Sequence, residues 1–382
     1  MVVDTIGIDR AGELKRELVE FSQQPRYSRA LGEVLADQQG DSGMLDEHQL
    51  MMLWDYFLLE HRLRNGRTVL EQFVDARRGL SESERAMLLG WRDVVQGPFE
   101  VQKRDGPALI VVNLVDELTY RVKSNMGRSA LRQMPRRSFL ITRLVAVDDD
   151  WMLSGPTRVL RPADREVAYR LALDLALRIP EAVYRNPEKL AAAWKIQQAD
   201  RERFVRFFGS DLVVLPGDQV SERMGEYFSF CHEEVSRTAT PSVPSAGEAA
   251  LPDLEFPPDL TEAETVALIY DEVDGLGFYA EFGLVESVFA DPDLLRLPAY
   301  REQVLTYLRD DSVHPLVINR LADRDPHRAS VTFRRLPHKP RFDWTRDGEG
   351  LLRKYKATHF DRPARPRVSP ISAGLAAYAG SR

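Results

Sequence analysis

Cysteine is almost absent from this sequence: Cys231 is the only one among 382 residues. A single cysteine excludes a disulfide framework, and it excludes zinc and iron–sulfur sites that need several thiolates. No run of about 18 apolar residues occurs, so we predict no membrane-spanning helix. Residues 1–10 lack the basic and apolar segments of a secretory signal. We therefore expect a cytoplasmic protein that makes no contact with a membrane.

The sequence motifs of several enzyme classes are also missing. The chain has no G-x-x-x-x-G-K-[ST] phosphate loop, and no G-x-G-x-x-G follows a predicted strand. It has neither a G-x-S-x-G nucleophile elbow nor an H-E-x-x-H helix. These absences argue against nucleotide-driven, Rossmann-type, α/β-hydrolase and zincin chemistry. We expect no cofactor. The sequence contains no recognisable catalytic motif, so it does not tell whether the chain is an enzyme.

Charge is distributed unevenly along the chain, although 52 basic and 59 acidic side chains give a net charge of only -7. Residues 98–147 carry 9 basic and 4 acidic side chains, and residues 331–382 carry 12 and 4. Residues 238–299 carry 1 basic and 13 acidic side chains. Such asymmetry indicates either a surface for a charged partner or two parts of one protein that attract each other.

Helical periodicity dominates residues 1–97, which we predict to be a helical N-terminal region. Asp46 is a candidate N-cap for one helix, and Thr68 begins the next. Ser81 and Glu84 form a capping box, in which each side chain satisfies a free backbone N–H near the other.

The helical spacing of apolar residues ends at residue 98. Residues 98–162 contain short segments rich in β-branched and aromatic residues. Asp105 and Gly106 stand between the first two segments, and Asp-Gly is a strong hairpin signal. Five or six short strands in about 65 residues predict a small closed β-barrel of SH3-like or OB-like type, since closure removes exposed strand edges. We place the segments at residues 99–104, 108–114, 118–124, 138–147, 151–154 and 157–160.

Helical periodicity returns in residues 163–237, which we predict to be a helical extension of the barrel. Asn186 followed by Pro187 signals a helix start, because Asn caps and Pro at the first position loses no hydrogen bond. Residues 211–215 look like a lone strand. Residues 238–260 are rich in Pro, Ala and Ser and poor in aromatics, and we predict a flexible linker there.

A helical C-terminal domain is predicted over residues 261–360. Thr261 and Glu264 match a second capping box, which would open a helix over residues 262–273. Residues 361–382 hold three prolines and end in small residues, and we predict a disordered basic tail. The predicted fold class is therefore α+β, mainly α-helical, with the barrel inserted between helical regions.

An acidic stretch offers the most distinctive chemistry in the C-terminal domain. Asp271, Glu272 and Asp274 precede Gly275, which resembles the glycine turn of a calcium loop. Tyr270 occupies the first ligand position and provides no carboxylate, so the interpretation we favour is a helix end with solvated carboxylates. The alternative is a metal-dependent hydrolase that uses these three carboxylates with a histidine.

Two other clusters of titratable residues fit structural roles. Cys231 and His232 are adjacent in a predicted helix and so do not share a face. We expect a buried, inert thiol and a histidine favoured by the helix dipole. Asp55, Glu60 and His61 look like part of a solvated helix face.

The third candidate is a surface that contacts nucleic acid. Phosphate binding needs clustered cations, and binding of single strands adds exposed aromatic side chains for stacking. The aromatic residues that stand among the basic ones are Tyr120, Phe139, Phe342, Trp344, Tyr355 and Phe360. The alternative is that these aromatics form the core while the arginines lie on the surface. The candidate contacts are Arg121, Lys123, Arg128, Arg132, Arg136, Arg137, Arg334, Arg335, Lys339, Arg341, Arg353 and Lys354.

Four short stretches carry a resemblance to known sequences. They are Trp54–Asp55–Tyr56–Phe57, Asn65–Gly66–Arg67–Thr68–Val69–Leu70, Tyr270–Asp271–Glu272–Val273–Asp274–Gly275–Leu276 and Phe333–Arg334–Arg335–Leu336. With them the chain resembles a group of bacterial, actinobacterial-type proteins related to SEC-C-motif proteins. Some members of that group carry a cysteine-rich metal-binding tail. This chain has only one cysteine, so the metal-binding function does not carry over, and the group implies no catalytic residues.

These observations together favour binding over catalysis. We expect an adaptor or accessory protein that uses its barrel or its C-terminal surface. Its partner would be nucleic acid or another protein, and nucleic acid is the first ligand class to test.

Overall fold

The computed structural model describes residues 6–39, 45–238, 256–336 and 340–380. About 58% of it is helical and 17% is strand, which confirms the mainly helical α+β class. Two compact units divide the chain. Unit 1 comprises Met1–Ala191 with Ser369–Arg382, and unit 2 comprises Ala192–Val368.

In the described residues unit 1 opens with five helices, and local capping explains where three of them start. Asp46, Thr68 and Ser81 each accept a hydrogen bond from the backbone N–H three residues ahead, and the third residue returns one, so the predicted caps are confirmed. The helices bury a shared core that includes Phe57, Leu58 and Trp91. They are α1 Ile8–Ser22, α2 Pro25–Gln39, α3 Glu47–Leu59, α4 Val69–Ala76 and α5 Glu82–Gly90.

Five strands and one short helix follow, and we call the strands together the N-terminal sheet. Each strand is hydrogen-bonded to two others in the cyclic order β1-β2-β3-β5-β4 and back to β1. Only β3 and β5 run parallel. The elements are β1 Val95–Asp105, β2 Ala108–Asn113, β3 Thr119–Lys123, α6 Arg128–Leu131, β4 Phe139–Val147 and β5 Asp150–Leu160.

One detail of this sheet differs from the sequence prediction. The segments predicted at 151–154 and 157–160 form the single strand β5. Gly155 between them has a φ of 72°, a left-handed value that glycine adopts readily. The register of β5 against β4 shifts between Ile141 and Arg143. The strand therefore bends at this irregularity instead of ending there.

Three further helices follow the N-terminal sheet, and the boundary between the units falls in the last of them. Asn186 starts that helix as predicted, because its Oδ1 accepts a hydrogen bond of 2.9 Å from the N–H of Glu188. The helices are α7 Arg165–Arg178, α8 Pro180–Tyr184 and α9 Pro187–Phe208.

Unit 2 combines a three-stranded antiparallel sheet with helices. The strands pair in the order β6-β7-β8, so the strand predicted at 211–215 is paired with β7 and is not a lone strand. The helix predicted over 262–273 is wrong, because these residues contain the whole of β7. The run Val266–Tyr270 is buried throughout, because its alternate side chains pack into two hydrophobic cores, one on each face of the sheet. This long-range burial overrides the apparent capping signal.

The helices of unit 2 pack around a second large core that includes Phe282, Tyr307 and Phe333. Helices occupy most of residues 282–361, in agreement with the helical character predicted for residues 261–360. The elements of unit 2 after α9 are β6 Leu212–Leu215, α10 Val220–Thr238, α11 Pro258–Thr261, β7 Val266–Asp271, β8 Gly275–Ala280, α12 Phe282–Ala290, α13 Pro298–Arg309, α14 Pro315–Arg324, α15 Pro326–Arg335, α16 Trp344–Tyr355 and α17 Ala357–Asp361.

The last residues of the chain differ from the predicted disordered tail. Helix α18, Ala373–Gly380, lies in unit 1 and contacts α7. Leu375 is buried, and the ring of Tyr378 meets that of Tyr169 edge to face. Burial of apolar side chains in this segment offsets the conformational entropy that is lost when the segment becomes ordered. Of the linker predicted over 238–260, residues 239–255 lie outside the described residues.

The absence of a side chain at Gly217 allows two backbone segments of unit 2 to pack closely. A Cβ atom on Gly217 would lie 2.4 Å from the carbonyl oxygen of Ala263 and 2.5 Å from that of Leu260. Both obstacles are backbone atoms and yield only if the segment moves. We expect Gly217→Ala to lower the free energy of unfolding by about 1–3 kcal/mol in urea denaturation.

A glycine inside a helix of the same unit offers the control for this substitution. A Cβ atom on Gly225, inside α10, would meet no described atom within 4 Å. Gly225→Ala should leave stability unchanged or raise it, because alanine favours a helix more than glycine does. Equal effects of the two substitutions would contradict the steric argument.

Candidate functional site

The candidate cations on strand β3 are neutralised by neighbouring carboxylates. Arg121 donates to Asp105 at 2.8 Å, and both Arg121 and Lys123 form ion pairs with Asp150. The hydrogen bond and charge of Arg121 lower the pKa of Asp105 below its ordinary value. Both carboxylates therefore stay ionised at neutral pH, and their two negative charges balance the positive charges of Arg121 and Lys123.

The next four candidate arginines lie on the segment between β3 and β4, residues 124–138, which we call the β3–β4 connection. Arg128, Arg132, Arg136 and Arg137 are all exposed. Among the described residues none of the four forms an ion pair, in contrast to the cations of β3. Arg128 and Arg132 are four residues apart around α6, and this spacing makes them neighbours on a helical surface.

Buried side chains and backbone hydrogen bonds hold the β3–β4 connection against the sheet. Leu131 and Met134 insert into the core of the N-terminal sheet. The guanidinium group of Arg104, at the end of β1, donates to the carbonyl oxygens of Leu131 and Arg132, both at 3.0 Å. The N–H of Arg137 donates to the carbonyl of Val101 at 2.8 Å. The four exposed arginines thus project from an anchored segment.

The C-terminal candidates do not form one exposed basic surface. Arg334 donates to the carbonyl of Phe342 at 2.7 Å. Arg335 pairs with Asp293 at 2.7 Å, and Arg353 pairs with Glu349 at 2.9 Å. Arg341 and Lys354 are exposed, whereas Lys339 lies outside the described residues.

The aromatic residues expected to stack on bases are mostly core residues. Tyr120 and Phe139 are buried in unit 1, and Phe342 and Trp344 are buried in unit 2. Tyr355 and Phe360 are half-buried and pack beside the core of unit 2. The alternative interpretation of the aromatic residues, that they form the core, is therefore correct for most of them.

The acidic stretch forms a hairpin turn, and its three carboxylates point to different partners. Asp271 Oδ1 accepts hydrogen bonds from the N–H groups of Val273 and Asp274 and so closes the turn. The side chain of Glu272 is 78% exposed. Asp274 instead contacts His314, with 3.0 Å between its Oδ2 and the Nε2 of the histidine. Among the described residues, the three carboxylates therefore neither form a calcium loop nor converge on one point with a histidine.

The two histidines near Asp274 have both ring nitrogens occupied. His314 Nδ1 accepts from the N–H of Leu316, while its Nε2 faces Asp274. His359 Nδ1 faces a guanidinium nitrogen of Arg362 at 3.2 Å, and its Nε2 lies 2.8 Å from the carbonyl of Asp311. Burial lowers the pKa of His359. Among the described residues, no three His, Cys, Asp or Glu side chains are placed to share a metal ion.

The Cys231–His232 pair also lacks the features of a reactive site. Cys231 is half-buried beside Tyr227, and burial raises the pKa of its thiol. A raised pKa lowers the thiolate fraction, which agrees with an inert cysteine. His232 is exposed.

In the part of the chain that the structure describes, no helix has the length and apolar character needed to cross a membrane.

One polar cluster was missed by sequence reasoning, which placed Asp55 on a solvated face. Asp55 is only 3% exposed and accepts hydrogen bonds from Lys15 at 2.6 Å and from Arg143 at 2.7 Å. Arg143 also pairs with Glu60. Burial raises the pKa of Asp55, but the charges of Lys15 and Arg143 outweigh burial and hold it below its ordinary value. The cluster connects α1 and α3 to the N-terminal sheet.

Comparison of the chain with family models, curated proteins and solved structures finds no match. The resemblance to SEC-C-related proteins stays a prediction.

Proposed function

We propose that this chain is a nucleic-acid-binding protein whose β3–β4 connection contacts the phosphate backbone. The observation that carries the proposal is the set of four exposed arginines without an ion-pair partner among the described residues, held on an anchored segment. Guanidinium groups bind phosphate through paired N–H donors, and clustered cations gain affinity by releasing counterions. The alternative partner is an acidic protein surface. Binding of a polyglutamate probe distinguishes this partner from nucleic acid.

We further infer that the N-terminal sheet is a small barrel of OB-like rather than SH3-like type. Its cyclic pairing supports closure, since each strand has two hydrogen-bonded neighbours. Strands β1, β2 and β3 are consecutive neighbours, and β4 returns to pair with β1, which is the Greek-key arrangement of OB barrels. Helix α6 lies in the connection that makes this return.

The charge pattern separates this chain from a usual OB-type binder. Such barrels bind oligonucleotides with the face of the second and third strands and the neighbouring loops. Here Arg121 and Lys123 on that face are paired with Asp105 and Asp150, and Tyr120 is buried. We therefore assign the phosphate contacts to the β3–β4 connection and expect little dependence on base sequence.

Removal of two of these arginines should weaken binding in a salt-dependent manner. We expect Arg128→Ser with Arg132→Ser to reduce affinity for a fluorescent 20-nucleotide strand by about tenfold at low salt. The slope of log K against log salt should become shallower by about 1–2. Binding releases about one counterion for each phosphate contact, so the loss of two contacts lowers that number by about two. Fluorescence anisotropy at several salt concentrations, with single-stranded and double-stranded probes, measures both quantities.

The matched control removes two arginines elsewhere in unit 1. Arg161 and Arg178 are exposed and already paired with Asp164 and Asp174, so Arg161→Ser with Arg178→Ser changes net charge equally. This control should bind like the parent protein. No binding by the parent at low salt would reject nucleic acid as the partner, and equal losses in both variants would reject the β3–β4 connection as the site. Binding of a polyglutamate probe as tightly as the strand would favour an acidic protein partner.

A further inference from the structure

A groove of about 690 Å³ runs along one face of α16 in unit 2. Arg346, Gly350 and Lys354 follow one another at four-residue spacing on this helix and so share a face. Arg341 and Phe342, from the segment before α16, line the opposite side. The volume lies in the range of small-molecule sites. Arg346 donates to the carbonyl of Arg341 at 2.9 Å, which holds the two sides together.

The groove combines unpaired positive charge with an apolar floor. Arg346 is neutralised by Asp347, to which it donates at 2.8 and 2.9 Å. Within the described ranges, neither Arg341 nor Lys354 has an acidic partner, so two positive charges remain. The exposed edges of Phe342 and Leu351 lie at the bottom of the groove, and the aliphatic stems of Arg341 and Lys354 add apolar surface along its sides.

Gly350 keeps the groove open, although glycine is unfavourable inside a helix. Gly348, two residues earlier, is required by packing, because a Cβ atom there would lie 2.9 Å from the Trp344 ring. A Cβ atom on Gly350 would meet no described atom within 4 Å, so packing does not explain this glycine. Local rules are typically broken where function requires it. Any larger side chain at Gly350 would project into the groove.

We propose that the α16 groove binds a small phosphomonoester with an apolar body. The dianionic phosphate matches the two unpaired charges of Arg341 and Lys354, and both residue types bind phosphate. The apolar body contacts Phe342 and Leu351 on the floor. A monocarboxylate would satisfy one of the two charges, and a neutral ligand neither. This site belongs to unit 2 and does not rest on the nucleic-acid proposal.

Phenyl phosphate is a suitable probe, with inorganic phosphate and phenol as its two separate parts. Isothermal titration calorimetry on the full chain should show phenyl phosphate binding at least about tenfold more tightly than either part. Gly350→Phe should weaken phenyl phosphate binding by at least about tenfold by filling the groove. Lys354→Gln leaves the groove open, and should weaken phenyl phosphate but leave phenol unchanged.

The control places the same side chain on another exposed helix. Gly32, inside α2, also has no described atom within 4 Å of an added Cβ, and Gly32→Phe should bind phenyl phosphate like the parent. Circular dichroism establishes that each variant is folded. Absent binding, equal binding of inorganic and phenyl phosphate, or unchanged binding by Gly350→Phe would each overturn the proposal. If Gly350→Phe fails to fold, the Lys354→Gln result alone decides.

Discussion

Replacement of Asp55 by alanine is expected to lower the free energy of unfolding by about 3–5 kcal/mol, because it leaves the buried Arg143 and the largely buried Lys15 without their shared anion. Of its partners in the described residues, Lys15 would keep the hydroxyl of Ser154, at 3.0 Å, and the ring face of Trp91. Arg143 would keep Glu60 and Gln96. Urea denaturation at pH 7, followed by fluorescence, measures the change.

The size of this effect comes from desolvation rather than from attraction alone. Burial lowers the pKa of Lys15, and the charge of Asp55 opposes that shift. Without Asp55 the ammonium group must lose its proton, or more water must enter a largely buried site. Either response reduces the stability of the folded state relative to the unfolded state, in which Lys15 is hydrated.

An exposed ion pair in the same unit provides the comparison. Asp174 pairs with Arg178 at 2.8 Å on α7, and both side chains are about half or more exposed. Asp174→Ala should change the unfolding free energy by less than about 1 kcal/mol. If Asp55→Ala were as mild as Asp174→Ala, the buried cluster would not be a structural tie between the helices and the sheet.

The helix starts were predictable because their signals lie within four residues. Asp46, Thr68 and Ser81 each cap the helix that follows them in sequence, and a cap requires only its own first turn. The strand segments of the N-terminal sheet were found for a similar reason, from their β-branched and aromatic runs. The pairing of the strands required long-range contacts, and the sequence could not specify it.

The errors arose where distant residues decide the outcome. The segment Val266–Asp271 has apolar residues that fit either a helix or a buried strand, and its neighbours β6 and β8 select the strand. Asp55 is polar and stands next to apolar residues in α3, so burial was not expected. Its partners Lys15 and Arg143 lie 40 and 88 residues away in the chain.

The candidate site was predictable in composition but not in its charge balance. The excess of arginine in residues 98–147 pointed to the β3–β4 connection, which carries four exposed arginines. The sequence did not reveal that Asp105 and Asp150 neutralise Arg121 and Lys123. Ion pairing across strands depends on register, and register follows from the fold.

The second large effect concerns Asp116, a buried carboxyl in the turn between β2 and β3. It is 1% exposed, and its two oxygens accept hydrogen bonds from the N–H of Leu118 at 2.8 Å and from the hydroxyl of Tyr120 at 2.6 Å. Burial raises its pKa from 3.8 to about 6, although these hydrogen bonds act in the opposite direction. The folded protein therefore holds this proton more tightly than the unfolded chain does.

Stability should accordingly fall as pH rises through this range. Between about pH 4 and 6 the folded state binds one proton more at Asp116, so the stabilisation is complete below the unfolded pKa and is lost above the folded one. A difference of roughly two pKa units corresponds to about 3 kcal/mol. We expect the stability of the parent relative to Asp116→Asn to decrease by about this amount from pH 4 to pH 7, measured by urea denaturation at each pH.

A second substitution tests the direction of the shift as well as its size. The hydroxyl of Tyr120 stabilises the ionised carboxylate, so Tyr120→Phe removes a donor and should raise the pKa of Asp116 further. The step in stability should then move to higher pH, and it should be absent when Tyr120→Phe is combined with Asp116→Asn. The opposite result would be a difference in unfolding free energy between parent and Asp116→Asn that does not depend on pH. It would show that Asp116 is hydrated, because burial is what raises the pKa of this carboxyl in the folded state.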